Sequence, residues 1–332
     1  MLVGLAASVV VQQQWLVQPY YVYPADQPFH REYAKAIDEC TKEIQSWYLE
    51  KAGITFRLAP LKVVQSKQPY REMRGTEVPA ESEMSREKLM DMPNWWPALE
   101  KAIGGWKERQ VSWVFAQGGG GVAQANLVKD WQGMGIFGDW VLEPISGVRE
   151  PKAIHAGHAT WEVKGGTPKG TTAHELGHAF GLHHPDGYSG KSIMRAHWDY
   201  PDTGFLPHEI LILQNSPFFV PNAFDEAAPH LDFENQDAVR WGETLHLTGQ
   251  GFKAGDTVEF VDVDDPDHLL SGGTARSTSR SPANRTRPVS TKLEDGKLVV
   301  TVPQDQGPGF IRVRRGKVRS NIVPVNVYKP SS

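Results

Sequence analysis

Cysteine is almost missing from this sequence: Cys40 is the only one in 332 residues. No intramolecular disulfide can form, so stability must come from packing or from a bound ion. Cys40 sits among polar residues at a helical position, and no motif marks it as a nucleophile. Charge of either sign is not in excess. Lys and Arg number 35 against 39 Asp and Glu, a net of −4, which argues against bulk electrostatic binding to nucleic acid or an acidic membrane. Long apolar runs are lacking too, and nothing approaches the length of a transmembrane helix. The apolar stretch 2–11 has no Lys or Arg before it, and none occurs until Arg31. Residues 1–14 read either as a truncated secretory signal or as a short buried strand. The first reading implies a secreted or cell-envelope location.

What is present reads first as alternating strands and helices. Residues 15–23 are aromatic and β-branched and end at Pro24, as a strand does. Across 31–51, Tyr33, Ala36, Ile37, Cys40, Ile44, Trp47 and Tyr48 recur at helical spacing, and Gly53 ends the run. Residues 54–64 read as a second strand, so the order strand, helix, strand fits a right-handed crossover in a mostly parallel sheet. Residues 65–81 are polar and read as a loop. Pro93 and Pro97 break 85–103 into helical pieces. A strong strand follows at 111–117. The Gly run at 118–121 lacks the Lys that a phosphate loop needs, and reads as a loop near the cleft. Residues 134–145 alternate weakly, and 159–163 is a short strand. His155 and His158 lie three apart with no supporting motif and read as ordinary polar residues. Residues 207–214 form a helix opened by Pro207 and containing Glu209.

The chemistry is concentrated in Thr172-Ala-His-Glu-Leu-Gly-His-Ala-Phe-Gly-Leu-His-His184. On a helix, His174 and His178 share one face, and two imidazoles at that spacing can reach one metal ion. Gly181 suits the left-handed residue that ends the helix. The chain then turns back, so His184 can approach the same ion. Three nitrogen ligands leave a tetrahedral position open, which a catalytic zinc site requires. Glu175 stands beside His174, where it can hold a water and take its proton. Taken singly, these residues have plainer readings: Thr172 and Glu175 fit a capping box, Gly181 a C-cap, His183 and His184 an exposed turn.

The pattern H-E-x-x-H-x-x-G-x-x-H resembles the signature of the metzincin metallopeptidases. The resemblance extends to Ser192-Ile193-Met194, placed where metzincins have the Met-turn that lies under the zinc histidines. Pro185 after the third His is similar to serralysins. Ala196 stands where those enzymes carry a Tyr, Tyr200 comes later, and their Gly-rich calcium repeats are absent, so the likeness is to the clan. It implies an α+β catalytic domain at 15–220, with a mixed, mostly parallel sheet and an active-site helix. It further implies a zinc endopeptidase with His174, His178 and His184 as metal ligands, Glu175 as general base, Met194 in a structural turn and Tyr200 as a candidate transition-state donor. Metzincins also place an antiparallel edge strand over the active-site helix to pair with extended substrate; 134–145 and 159–163 are the candidates here.

Residues 217–229 carry prolines and a polar stretch, and the linker is set at 221–229. Beyond it the character changes. Short strands with frequent turns at 244–260, 297–303, 310–318 and 322–328 argue for an all-β sandwich at 230–329. The Thr-Gly-x-Gly-Phe turn, Gly255-Asp256-Thr257-Val258 and Ser320-Asn321 resemble immunoglobulin-like IPT/TIG domains, which implies a fold able to bind a protein or polysaccharide rather than an activity. Residues 271–290 read as an exposed loop, and Asn284-Arg-Thr286 is a sequon that matters only in a secreted eukaryotic protein. Asp262, Asp264, Asp265 and Asp267 could bind calcium but lack the rest of an EF-hand. Arg312, Arg314, Arg315, Lys317 and Arg319 could bind an anionic polymer or simply face water.

Three other readings stay open on the residues alone. Glu209 could be the third ligand, as in thermolysin-like peptidases, leaving Gly181 and His184 without a role. The chain could be an adhesion or matrix-binding protein whose β-sandwich carries the activity. Or the metal could be structural, which would normally need a fourth protein ligand.

Overall fold

The computed structural model describes residues 15–74, 95–119, 123–128, 131–148, 155–156, 159–160, 167–185, 191–219, 228–232, 239–262, 286–304, 306–307, 309–325 and 327–328. Strand β1 (Leu16–Tyr23) is followed by α1 (Arg31–Ala52), β2 (Lys62–Gln65), α2 (Tyr70–Arg74), α3 (Trp95–Ile103), β3 (Gln110–Ala116), β4 (Ala123–Val128), β5 (Gln132–Phe137) and α4 (Asp139–Ser146). The five strands form one sheet in the order β2-β1-β3-β5-β4. The first four are parallel to their neighbours, and β4 alone runs antiparallel, at the edge beside β5. Together with α5 (Thr167–Ala179) and α6 (Pro207–Gln214), this makes an α+β protein with a mixed sheet.

Side-chain alternation explains why helices cover both faces. Val17, Tyr21, Val111, Trp113 and Phe115 point to the face packed by α1, α4 and α5. Tyr20, Val22, Val114 and Ala116 point the other way, against Met73, Trp95 and Leu99 of α2 and α3. The buried stripe of α1 contains Tyr33, Ala36, Ile37, Cys40, Ile44, Trp47 and Tyr48, the residues that helical periodicity selects. Gly53 closes α1 at φ 71°, its N–H donating to the Leu49 carbonyl. Burial pushes the Cys40 thiol up to about 12, which leaves it inert.

Several expectations are corrected. The strand expected over 54–64 pairs only at 62–65, with one isolated bridge from Leu58 to Val17. Pro60 has no N–H to give a ladder, and its carbonyl instead accepts from the Gln18 amide at 2.6 Å. The segment 134–145 is two elements, because the chain breaks at Gly138 and α4 begins at Asp139. Phe218 and Phe219, placed by sequence in the polar stretch before the linker, are buried against Phe180. His155–Ala156 and Ala159–Thr160 form a two-residue antiparallel pair. Residues 1–14, 221–227, His158, Asp264, Asp265, Asp267 and Asn284 lie outside the described residues.

The C-terminal part is mostly antiparallel, with one short parallel pair between Val239–Arg240 and Val327–Tyr328. Thr257–Asp262 pairs with Thr286–Ser290 and Gly309–Arg315, while Thr244–Leu247 pairs with Lys297–Thr301. Alternate residues Leu245, Leu247, Leu298 and Val300 are buried with Val258, Phe260, Ile311 and Val313. Asn321 takes the Leu231 N–H on Oδ1 and donates Nδ2–H to the Leu231 carbonyl, which fixes the strand His230–Leu231. The arginines are engaged by carboxylates. Glu259 receives Arg312 at 2.6 Å and Arg314 at 3.0 Å, and Asp256 accepts two hydrogen bonds from Arg315. Two carboxylates, Glu259 and Asp256, therefore offset part of the positive charge of the basic hairpin. No helix among the described residues is long and apolar enough to cross a membrane.

Candidate metal centre

The helix carrying the motif starts at Thr167, so Thr172 and Glu175 are interior and the capping-box reading fails. Thr172 Oγ1 donates back to the Pro168 carbonyl at 2.7 Å. Gly181, at φ 91°, ends the helix in a conformation that a residue with a Cβ rarely adopts. The N–H groups of Gly181 and Leu182 return to the carbonyls of His178 and Gly177, and the chain reverses toward the helix.

That reversal brings three ring nitrogens together. His178 Nε2 lies 3.1 Å from His174 Nε2 and 3.1 Å from His184 Nε2, and the third side of the triangle is 3.2 Å. His174 is buried, His178 half-buried and His184 exposed, so the group opens to solvent on one side. The second nitrogens identify the tautomers. His174 Nδ1 is 2.8 Å from the Ile193 carbonyl, and His178 Nδ1 is 2.7 Å from the Leu182 carbonyl. A carbonyl can only accept, so both Nδ1 atoms carry the proton and both Nε2 atoms of the neutral rings are bare. Burial, and then the neighbouring His178, holds His174 well below the usual imidazole range. Two bare lone pairs at 3.1 Å cannot hydrogen-bond to each other. They suit a cation between them.

The donor set fits a metal ion. Nitrogens about 2.0–2.1 Å from a tetrahedral zinc lie roughly 3.3–3.4 Å apart, close to the triangle here. Among the described residues no fourth His, Cys, Asp or Glu joins the group. The carbonyls of Ile193 and Leu182 act as the outer partners that fix ring orientation in metal sites.

Glu175 follows His174 on α5 and accepts a hydrogen bond from the Ala125 N–H of β4. Burial pushes its carboxyl up to about 8, and the Ala125 hydrogen bond opposes the shift. A carboxyl in that range can exchange a proton near neutrality. Met194 is fully buried and its sulfur lies against Gly177, between the two helical histidines.

Tyr200 is placed otherwise than expected, and the rival reading of Glu209 is not met. Tyr200 is not brought to the cluster as a donor: its hydroxyl donates to Glu43 Oε1 of α1 at 3.1 Å, and its ring packs on Trp47. Glu209 is not a ligand. Its buried carboxylate accepts the Ser192 hydroxyl at 2.7 and 2.9 Å and the Leu206 N–H at 2.7 Å. Sequence reasoning also missed two neighbours. His197 stands with its ring centre 5.1 Å from that of His174, and burial, then His184, pushes it down to about 4. The antiparallel edge strand is Ala123–Val128, neither of the two segments expected. The spacing of His197 after Met194 was a signal available in the sequence; Ala123–Val128 offered almost none.

No protein-family model matches the chain, and no curated protein matches it. Among solved structures, wild-type OgpA from Akkermansia muciniphila is similar at 12% identity, over 93% of this chain and 91% of that one, with a TM-score of 0.41. Catalytically inactive OgpA in complex with an O-glycopeptide, glycodrosocin, is similar at 13% identity, over 93% and 90%, with a TM-score of 0.42. A DUF4784 family protein from Bacteroides caccae matches 31% of this chain and 24% of its own length at 16% identity, with a TM-score of 0.22. These likenesses are distant, and the residues of the site carry the functional conclusion.

Proposed function

We propose that the protein is a zinc-dependent endopeptidase of metzincin type, with its C-terminal β-structure, 230–329, an immunoglobulin-like accessory domain. The observation that supports this most is the triangle of His174, His178 and His184 Nε2 atoms, two of them stripped of protons by backbone carbonyls. Zinc held there would act as a Lewis acid on the scissile carbonyl and would lower the pKa of a water. Glu175 accepts the proton of the attacking water and passes it to the leaving nitrogen. The Ala125 N–H holds the Glu175 carboxylate in orientation. β4 is the edge strand of the sheet and lies close to α5; an extended peptide bound along it would have to use groups other than the Ala125 and Leu127 N–H, which Glu175 and Asn126 take. The open side at His184 gives access. The thermolysin-like assignment is disfavoured because the Glu209 carboxylate is engaged by Ser192 and Leu206. A secreted or cell-envelope location belongs to the same proposal, motivated by the apolar stretch 2–11.

The test is metal analysis plus cleavage of a peptide library by the full-length protein and by Glu175→Gln. The expected result is one zinc per chain in both, with cleavage lost in the variant, since Gln keeps the shape but cannot take the proton. Full activity in zinc-loaded Glu175→Gln would overturn the mechanism, and absence of zinc from the wild type would overturn the metal assignment.

A further inference from the structure

Glu209 lies 35 residues after His174 in sequence, yet a short series of contacts joins them. Its carboxylate is 1% exposed. Oε1 and Oε2 both lie within reach of the Ser192 hydroxyl, at 2.7 and 2.9 Å. Ser192 Oγ, having donated that proton, accepts the Met194 N–H at 3.0 Å. Between them, the Ile193 carbonyl accepts the His174 Nδ1 proton at 2.8 Å, and the Ile193 N–H donates to Gly204 at 2.8 Å. Glu209 Oε2 also takes the Leu206 N–H at the start of α6, so one side chain secures both the turn and the helix entry.

A glutamate that only capped α6 would gain its hydrogen bond at the surface, without the cost of burying a charge. The burial and the two-oxygen grip on Ser192 instead place Glu209 in the support of the metal site. We propose that Glu209 is a positioning residue: it holds the Ser192-Ile193-Met194 turn so that the Ile193 carbonyl fixes the tautomer and direction of the His174 ring. This rests on the reading of His174, His178 and His184 as metal ligands. Glu209 acts as a hydrogen-bond acceptor, and a neutral Gln keeps one acceptor oxygen, which in the place of Oε2 can still take the Leu206 N–H and the Ser192 hydroxyl. Ala cannot.

The experiment uses the full-length chain and Glu209→Gln, Glu209→Ala and Ser192→Ala. Ser192→Ala leaves the Glu209 bond to Leu206 intact and cuts the link from Glu209 to the turn, together with the Ser192 bond to the Met194 N–H. Zinc affinity is measured by chelator competition at fixed pH, with circular dichroism as the fold check. The expected loss for Glu209→Ala and for Ser192→Ala is about 10- to 100-fold, the usual effect of removing an outer partner, with Glu209→Gln close to wild type. A second readout needs no metal: ¹⁵N-histidine NMR of the zinc-free chain should report His174 protonated at Nδ1 in wild type and Glu209→Gln, and a mixed tautomer in the two alanine variants. If folded Ser192→Ala keeps wild-type affinity and the Nδ1 tautomer, Glu209 only caps α6 and the inference is overturned. If Glu209→Gln falls as far as Glu209→Ala, the acceptor role is overturned in favour of charge. Should Glu209→Ala not fold, Ser192→Ala and Glu209→Gln decide. Should the wild type bind no zinc, the metal assignment fails, and the tautomer readout still judges the link from Glu209 to His174.

Discussion

Met194 Sδ occupies the space that a side chain on Gly177 would fill: a Cβ there would overlap the sulfur and press on Cε. The motif places Gly177 between the first two histidines, and its bare backbone lets the turn come up under the helix. Gly177→Ala should therefore destabilise the protein by overpacking, about 1–3 kcal/mol, despite the better helix propensity of Ala. The check is a double-mutant cycle by urea denaturation. Gly177→Ala with Met194→Ala should lose clearly less than the sum of the single changes, because the second removes the clash of the first. Strict additivity would mean that the two residues do not meet.

The adjacent histidines should separate cleanly. His184→Ala removes one of three nitrogens from the triangle, whereas His183 is not part of it. Zinc affinity should fall by more than the roughly 10- to 100-fold of an outer-partner loss in His184→Ala, and hardly at all in His183→Ala. Chelator competition at one pH is the measurement, since the ligands must be neutral to bind.

Tyr200→Phe should leave kcat unchanged while lowering stability. Its hydroxyl is committed to Glu43, and a hydrogen bond to a carboxylate contributes about 1.5–3 kcal/mol. Loss of a transition-state donor would instead cost about 10²–10³ in kcat. A drop of that size would return Tyr200 to the catalytic site.

Acid should destabilise the C-terminal part through Glu259. Burial pushes this carboxyl up, but hydrogen bonds from Arg312 and Arg314 and the charges of Arg312 and Arg319 outweigh it, and the net position is below the ordinary 4.5. The unfolded chain then binds the proton more readily than the folded one. Stability from this group is complete above about pH 4.5 and is lost as pH falls through the folded value. Glu259→Gln should be less stable than wild type at neutral pH, and its stability should fall less steeply below pH 4.5. Parallel pH profiles of the urea midpoint would contradict this account.

What could be read in the sequence was local. His174, His178, Gly181 and His184 lie within one helix and its turn, so spacing alone predicted their convergence. The stripe of α1 was legible because Tyr33, Ala36, Ile37, Cys40, Ile44, Trp47 and Tyr48 keep one period over about four turns of helix. The misses depend on distant partners. Ala-Gln-Ala-Asn-Leu-Val, 123–128, has little β-propensity, and becomes a strand because β5 presents a matching ladder. Glu209 stood in the sequence as a rival third ligand, and only the approach of Ser192 shows what its carboxylate is engaged by. Tyr200 looked available until α1 supplied Glu43.

The edge strand β4 has a consequence for solubility. Its Ala125 and Leu127 stand at alternate positions, and their N–H groups are taken by Glu175 and by the Asn126 side chain respectively. Bare outward donors on a sheet edge are templates on which other copies of a chain add strands and aggregate. Here a residue assigned to proton transfer also shields one of those donors. Replacing Glu175 with an apolar residue would therefore uncover an aggregation seed along with disabling the site, and poor yield of such a variant would follow from its exposed edge rather than from a misfolded core.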